Sequence, residues 1–156
     1  DGAVSVIDLA RRERLGKIKT PQALAGITIS GDGRTVVVVS DEEPVLFLID
    51  AQSERVTETV PLKDVPKPAQ IARYSPDWSL LGVTSLNSDM VSLIGPSFHE
   101  QTAVKVGSQP MDMVYHGDEL FVACQGDGSG HIVDIPTRRW KSSFKAGTGC
   151  ESLGFF

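Results

Sequence analysis

Hydrophobic positions fall in short clusters of Val, Ile and Leu, separated by Gly, Pro, Asp, Asn or Ser. Clusters punctuated in this way read as strands, because β-branched residues fit a pleated surface and the intervening residues make turns. The long amphipathic periodicity of a helix is absent. The predicted strands are Ala3–Ile7, Leu15–Lys19, Gly26–Ser30, Thr35–Ser40, Val45–Ile49, Arg55–Val60, Ile71–Tyr74, Leu80–Ser85, Met90–Ile94, Gln101–Val106, Met113–Tyr115, Leu120–Ala123, His131–Asp134, Trp140–Lys145 and Leu153–Phe156. Strands spaced about ten residues apart, with turn signals between them, predict an antiparallel all-β fold rather than alternating strands and helices.

The strands also repeat as a group. Val6-Ile7-Asp8 recurs as Leu48-Ile49-Asp50, in weakened form as Leu93-Ile94-Gly95, and again as Ile132-Val133-Asp134, at spacings of 42, 45 and 39 residues. A second marker, Ser30-Gly31-Asp32-Gly33-Arg34, recurs as Ser75-Pro76-Asp77-Trp78-Ser79 at an offset of 45, and Tyr74–Asp77 corresponds to Tyr115–Asp118 at an offset of 41. Each unit reads as strand, acidic turn, strand, turn, strand ending in Asp, turn, strand. That is one four-stranded blade of a β-propeller.

The segments Gly26–Val38, Tyr74-Ser75-Pro76-Asp77, Leu120-Phe121-Val122-Ala123 and Val4-Ser5-Val6-Ile7-Asp8 resemble the YVTN-type repeats of bacterial and archaeal β-propellers. The resemblance covers nearly the whole chain. It departs at Trp78, where the repeat has a turn glycine, at Gly95, where it has the strand-end Asp, and where Tyr-Val-Thr-Asn becomes Val-Val-Val-Ser or Phe-Val-Ala-Cys. Gly-His and Trp-Asp markers of WD40 repeats are missing. The expected organisation is a partial propeller of about three and a half blades. Residues 1–20 supply the two outer strands of a first blade, 24–64, 69–107 and 110–147 form complete blades, and 150–156 supply the first strand of a further one. Beginning at Asp1-Gly2-Ala3 without a Met, the chain reads as a fragment of a longer propeller. The rival reading is a half-ring that self-associates with a second copy.

Composition narrows the partners. Fifteen Lys and Arg against 20 Asp and Glu give a net charge of −5, which argues against nucleic acid or an anionic membrane surface, since both attract a basic surplus. No apolar run reaches the roughly 20 residues of a membrane-spanning helix. The resemblance implies a periplasmic, cell-surface or secreted setting, which the residues themselves leave unknown.

Chemistry-bearing residues are sparse. His99, His116 and His131 belong to no metal-binding spacing, so no metal ligands, catalytic residues or cofactor are expected. His99 and His116 read as turn residues, and His131, starting a third strand, as a satisfied strand-edge histidine, with a place on the channel wall as the alternative. Cys124 and Cys150 fall on one propeller face and form a candidate disulfide in an oxidising compartment. Gln125–Gly130 is Gly-rich, but lacks the Gly-Lys-Ser/Thr ending and the following helix of a phosphate loop. Asp32, Asp77 and Asp118 recur once per blade, as turn-forming acids do.

The expected ligand surface is the loop rim formed by the second-to-third-strand loops and the connections between blades. Its candidate residues are Asp41, Glu42, Glu43, Gln70, Asn87, Asp89, Asp112, Gln125, Asp127 and Glu151. Such an acidic rim suits a cation, a basic peptide or a polar small molecule. The expected function is non-enzymatic recognition or scaffolding, binding a protein or small ligand there. The alternative is a piece of a propeller enzyme of the haem-d1, quinone-linked amine dehydrogenase or lactonase type, with its catalytic residues largely outside this chain.

Overall fold

The computed structural model describes residues 2–154. Its strands in chain order are β1 (Gly2–Asp8), β2 (Glu13–Thr20), β3 (Leu24–Ile29), β4 (Thr35–Ser40), β5 (Val45–Asp50), β6 (Arg55–Pro61), β7 (Ile71–Tyr74), β8 (Leu81–Ser85), β9 (Met90–Ile94), β10 (Gln101–Lys105), β11 (Pro110–His116), β12 (Glu119–Cys124), β13 (Ser129–Asp134) and β14 (Arg139–Lys145). They form three four-stranded antiparallel sheets, β3–β6, β7–β10 and β11–β14, and a two-stranded sheet, β1–β2. In each four-stranded sheet the strands lie in sequence order, the arrangement of a propeller blade. The fold is a partial β-propeller.

Packing explains why the strand runs are continuously apolar. Val37, Val38 and Val39 of β4 are all fully buried, because the sheet is covered on both faces, so alternation disappears. One face of the β3–β6 sheet shares a core with the next blade, where Val37, Val39, Leu46 and Leu48 meet Leu81, Val83 and Ile94. Its other face packs Val38, Phe47 and Ile49 against Ile18. A third core joins Leu80, Val91 and Leu93 to Met113, Leu120, Val122 and Val133. Burying each such side chain contributes about 1.5–3 kcal/mol, so the seams between blades hold the molecule together.

Carboxylates at two recurrent positions of the repeat set the turns. Asp50 Oδ1 accepts from Ser53 N–H at 2.7 Å and Asp134 Oδ1 from Thr137 N–H at 2.8 Å, while Asp8 Oδ1 accepts from Ala10 and Arg11 N–H, both at 2.9 Å. Gly95 has no carboxylate, and its own N–H closes the turn on Glu100 O at 2.8 Å. At the first turn of the first two complete blades, Ser30 Oγ donates to Asp32 Oδ1 at 2.7 Å and Ser75 Oγ to Asp77 Oδ1 at 2.6 Å. These bonds hold both acids below the usual carboxylate range.

One expectation and one alternative need correction. Leu153 and Gly154 pair in no ladder; instead Leu153 N–H approaches Asp112 Oδ2 at 3.4 Å. Phe155 and Phe156, the rest of that expected strand, lie outside the described residues. His131 does not line the channel. It sits on β13, the third strand of its sheet, two strands outward from β11.

Candidate functional site

The first strands of successive sheets, β3, β7 and β11, lie beside one another and form the inner wall. The loops β4–β5, β8–β9 and β12–β13 therefore gather at one end with the connections between blades. The short turns gather at the other.

At the loop end, the structure places the expected acids on backbone amides. Glu42 Oε1 accepts from Ala23 N–H at 3.0 Å. Asp89, in a left-handed conformation after the 3-10 turn Leu86–Ser88, accepts from Gln109 N–H of the next blade at 3.0 Å. Asp127 Oδ2 accepts from Ser108 N–H at 3.0 Å. Gln125 Nε2 donates to Glu151 Oε1 at 2.6 Å. Three successive loops are thus braced by one carboxylate each, and the charges remain at the rim. Asp41, Glu43 and Asn87 are exposed beside these braces. Gln70 is held through its backbone, N–H to Thr84 O at 2.7 Å.

Asp112 turns inward. It is buried, and Arg73 Nη2 donates to its Oδ1 at 2.9 Å, joining β7 to β11 across the inner wall. Arg73 was not among the expected site residues. The available signal was an isolated charge inside the short apolar run Ile71–Tyr74.

The most elaborated part of the rim lies in the third complete blade. Ser129 donates its hydroxyl to Asp127 Oδ1, and Trp140 Nε1–H donates to His131 Nδ1 at 3.0 Å, which leaves Nε2 as the protonated nitrogen of the neutral ring. Asp127 Oδ2, Ser129 Oγ and His131 Nε2 converge on Gly107, where an added Cβ would lie 2.7, 2.7 and 2.8 Å from them. A side chain at this position would require these atoms to move. Burial lowers the His131 pKa against the opposing pull of Asp127, while the Ser129 hydrogen bond first, then those of the backbone, lowers that of Asp127. An open cleft of about 270 Å³ adjoins the cluster, lined by Asp127, Gly128, Lys145, Gly147 and Thr148.

Cys124 and Cys150 are both free thiols, the first fully buried and the second half-buried. Burial pushes the Cys124 pKa up to about 12, the reverse of what a nucleophile needs. Among the described residues, no three His, Cys, Asp or Glu side chains are grouped to hold a metal ion. No helix among them is long and apolar enough to cross a membrane.

No protein-family model matches the sequence, and no curated protein matches it. Solved structures do match in shape. Hydrazine synthase of Kuenenia stuttgartiensis superposes with a TM-score of 0.73 at 24% identity, over 85% of this chain and 39% of that one. The β-propeller domain of Cps50 (Swd1) from Myceliophteria thermophila superposes with a TM-score of 0.76 at 19% identity, over 99% of this chain and 52% of that one. The chain thus spans well under two thirds of either protein. At these identities the likeness establishes the propeller fold.

Proposed function

We propose that this chain is a non-enzymatic recognition module, built of YVTN-type propeller repeats with complete blades at 24–64, 69–107 and 110–147, that binds a basic protein segment or polar cationic ligand at its loop rim. The observation that carries the reading is the repeated brace. Glu42, Asp89 and Asp127 each fix a loop to a neighbouring backbone amide, so three loops meet the solvent pre-ordered. Little conformational entropy is then lost on binding, which favours affinity. The braced carboxylates lie at the rim with Asp41 and Glu43, and together they present the acidic surface that steers a cationic partner to the mouth.

The test is a titration of the ¹⁵N-labelled chain with a Lys-Gly repeat peptide and with its Glu-Gly counterpart, at low and high salt. Amide shifts concentrated at 41–43, 87–89 and 125–127, saturable with the basic peptide and weakened by salt, support the proposal. Equal responses to both peptides, or shifts that avoid the rim, overturn it.

A further inference from the structure

At the opposite end of the propeller, the seam between the β3–β6 and β7–β10 blades opens into a cleft of about 350 Å³, lined by Ser30, Gly31, Asp32, Thr35, Tyr74, Trp78, Pro96 and Phe98. Two of its aromatic walls stand on strained backbone. Trp78 has φ +62° and Phe98 φ +61°, a left-handed conformation unusual for bulky residues. The position of Trp78 in the preceding repeat is Gly33, with φ +72°, so the repeat offers glycine there and this blade carries an indole instead. Left-handed residues also stand at Glu54 and Arg138 in the corresponding turns of the neighbouring blades, so this φ belongs to the turns, and what distinguishes this seam is the aromatic side chains placed on them.

The indole is tightly seated. It lies over Gly31, where an added Cβ would be 2.5 Å from its ring, and against Tyr74 at a centroid distance of 5.6 Å and an interplanar angle of 48°. Even so, Trp78 is 48% exposed. Asp32 stands at the edge of this aromatic box. Its Oδ1 takes Ser30 Oγ–H at 2.7 Å and Arg34 N–H at 3.0 Å, whereas Oδ2 takes no hydrogen bond among the described residues. Its charge is felt at the phenol, since burial first and Asp32 second raise the Tyr74 pKa.

We propose that this cleft binds a methylated ammonium cation, its methyl groups against Tyr74, Trp78 and Phe98 and its charge beside Asp32. Aromatic faces attract cations through the ring quadrupole, and quaternary ammonium groups are the ions such boxes select. The selection follows from hydrogen bonding. Ser30 Oγ already donates to Asp32 and accepts Thr35 N–H at 2.9 Å, so of the Ser30 and Asp32 side-chain oxygens only Asp32 Oδ2 is without a hydrogen bond, one acceptor against the several N–H donors of a primary ammonium or guanidinium. Those ions would leave water with their donors only partly satisfied, whereas a quaternary ammonium has no donors to satisfy.

The next seam supplies an internal comparison. Its cleft, of about 380 Å³, is lined by Ser75, Pro76, Asp77, Ser79, Leu80, Tyr115, Gly117, Asp118 and Ile135. It repeats the serine–aspartate turn and the tyrosine but has no tryptophan or phenylalanine, and Tyr115 is buried. Charge alone would favour that seam. An aromatic box exists only in the first of the two.

The experiment is a titration of the ¹⁵N-labelled chain with tetramethylammonium chloride, with ammonium chloride and sodium chloride as controls at matched ionic strength. Saturable shifts of the Trp78 indole N–H and the Gly31 and Tyr74 amides are expected, with a Kd on the order of 1 mM for so small a probe. Ammonium should leave them unmoved. Asp32→Asn should weaken binding about tenfold, and Trp78→Gly, which restores the residue of the preceding repeat, should abolish the shifts at Gly31 and Tyr74 while keeping the native spectrum. Choline and a trimethyllysine-containing hexapeptide separate the two sources of such a cation. Tighter binding of the peptide assigns the site to a protein tail, and equal or tighter binding of choline to a small molecule. Equal responses to ammonium and tetramethylammonium, equal shifts around Tyr115, or binding that survives Trp78→Gly overturns the proposal.

Discussion

Arg73 reaches from β7 to Asp112 on β11, Nη2 to Oδ1 at 2.9 Å, and so ties the innermost strands of two neighbouring blades. The Asp112 side chain is 10% exposed and that of Arg73 45%. Removing the arginine therefore strands a mostly buried carboxylate, while removing the carboxylate frees an arginine that water still reaches.

Arg73→Ala should accordingly destabilise the fold by about 1–2 kcal/mol, less than a fully buried pair would cost because Arg73 is partly solvated. Asp112→Asn should cost less than Arg73→Ala. Urea unfolding followed by circular dichroism checks both. An Asp112→Asn loss equal to or above that of Arg73→Ala would mean that the stranded charge is not the dominant cost.

The thiols should differ sharply. With Cys124 fully buried and its pKa pushed up to about 12, a thiol reagent at pH 8 should modify Cys150 alone in the native protein and both cysteines in urea. The raised pKa also has a stability consequence. Cys124 ionises more readily unfolded, near its ordinary 9.0, so its contribution is complete below pH 9 and is lost as pH rises from there toward 12. Cys124→Ala should flatten that alkaline decline. Two equally fast native thiols would contradict the burial.

The fold was legible because its repeat is written in residues that do local work. Asp50 and Asp134 recur because each closes a turn through its own carboxylate, and the Ser-x-Asp turns recur for the same reason. The sites were less legible, since they form across seams that a period does not describe. The acidic rim read as charge free for a ligand, yet Asp89 bonds Gln109, twenty residues away in the next blade. Trp78 read only as a lost turn glycine. Its meaning depends on Gly31 beneath it, which belongs to a different sheet. Likewise Leu153 read as a strand residue from its apolar neighbours, but pairing needs a partner edge, and its N–H turns to Asp112 instead.

Acid should weaken the fold in two separate windows. Burial holds the His131 pKa below its ordinary 6.5, so the unfolded chain takes up that proton first. The stability linked to His131 is complete above about pH 6.5 and falls as pH drops through the lowered native value. Asp32, Asp50, Asp77, Asp127 and Asp134 are all held below 3.8, the first cause in each case a side-chain hydrogen bond from Ser30, Ser53, Ser75, Ser129 and Thr137 respectively. Their contribution persists above pH 3.8 and is lost below it. His131→Gln should remove the upper window and leave the lower one, as read from urea midpoints between pH 8 and pH 3. A decline near pH 6 that persists in the variant would assign it to another group.

Gly107→Ala should disturb the rim through side-chain overpacking alone, without the positive φ and backbone contact that a methyl at Gly128 would meet. The new Cβ would lie 2.7 Å from Asp127 Oδ2 and Ser129 Oγ and 2.8 Å from His131 Nε2, all well inside van der Waals contact. These atoms cannot yield independently. Asp127 also holds Ser108 N–H, and His131 is held by the indole of Trp140, so relief requires breaking a brace. Overpacking of this kind costs about 1–3 kcal/mol. Loss of the brace should also loosen the loop itself, seen as faster hydrogen exchange at Ser108 and Ser129 N–H, whereas Gly117→Ala, where nothing lies within 4 Å but φ is +56°, should destabilise through backbone strain and leave those amides protected. Equal exchange in the two variants would show that the rim cluster does not depend on the close approach at Gly107.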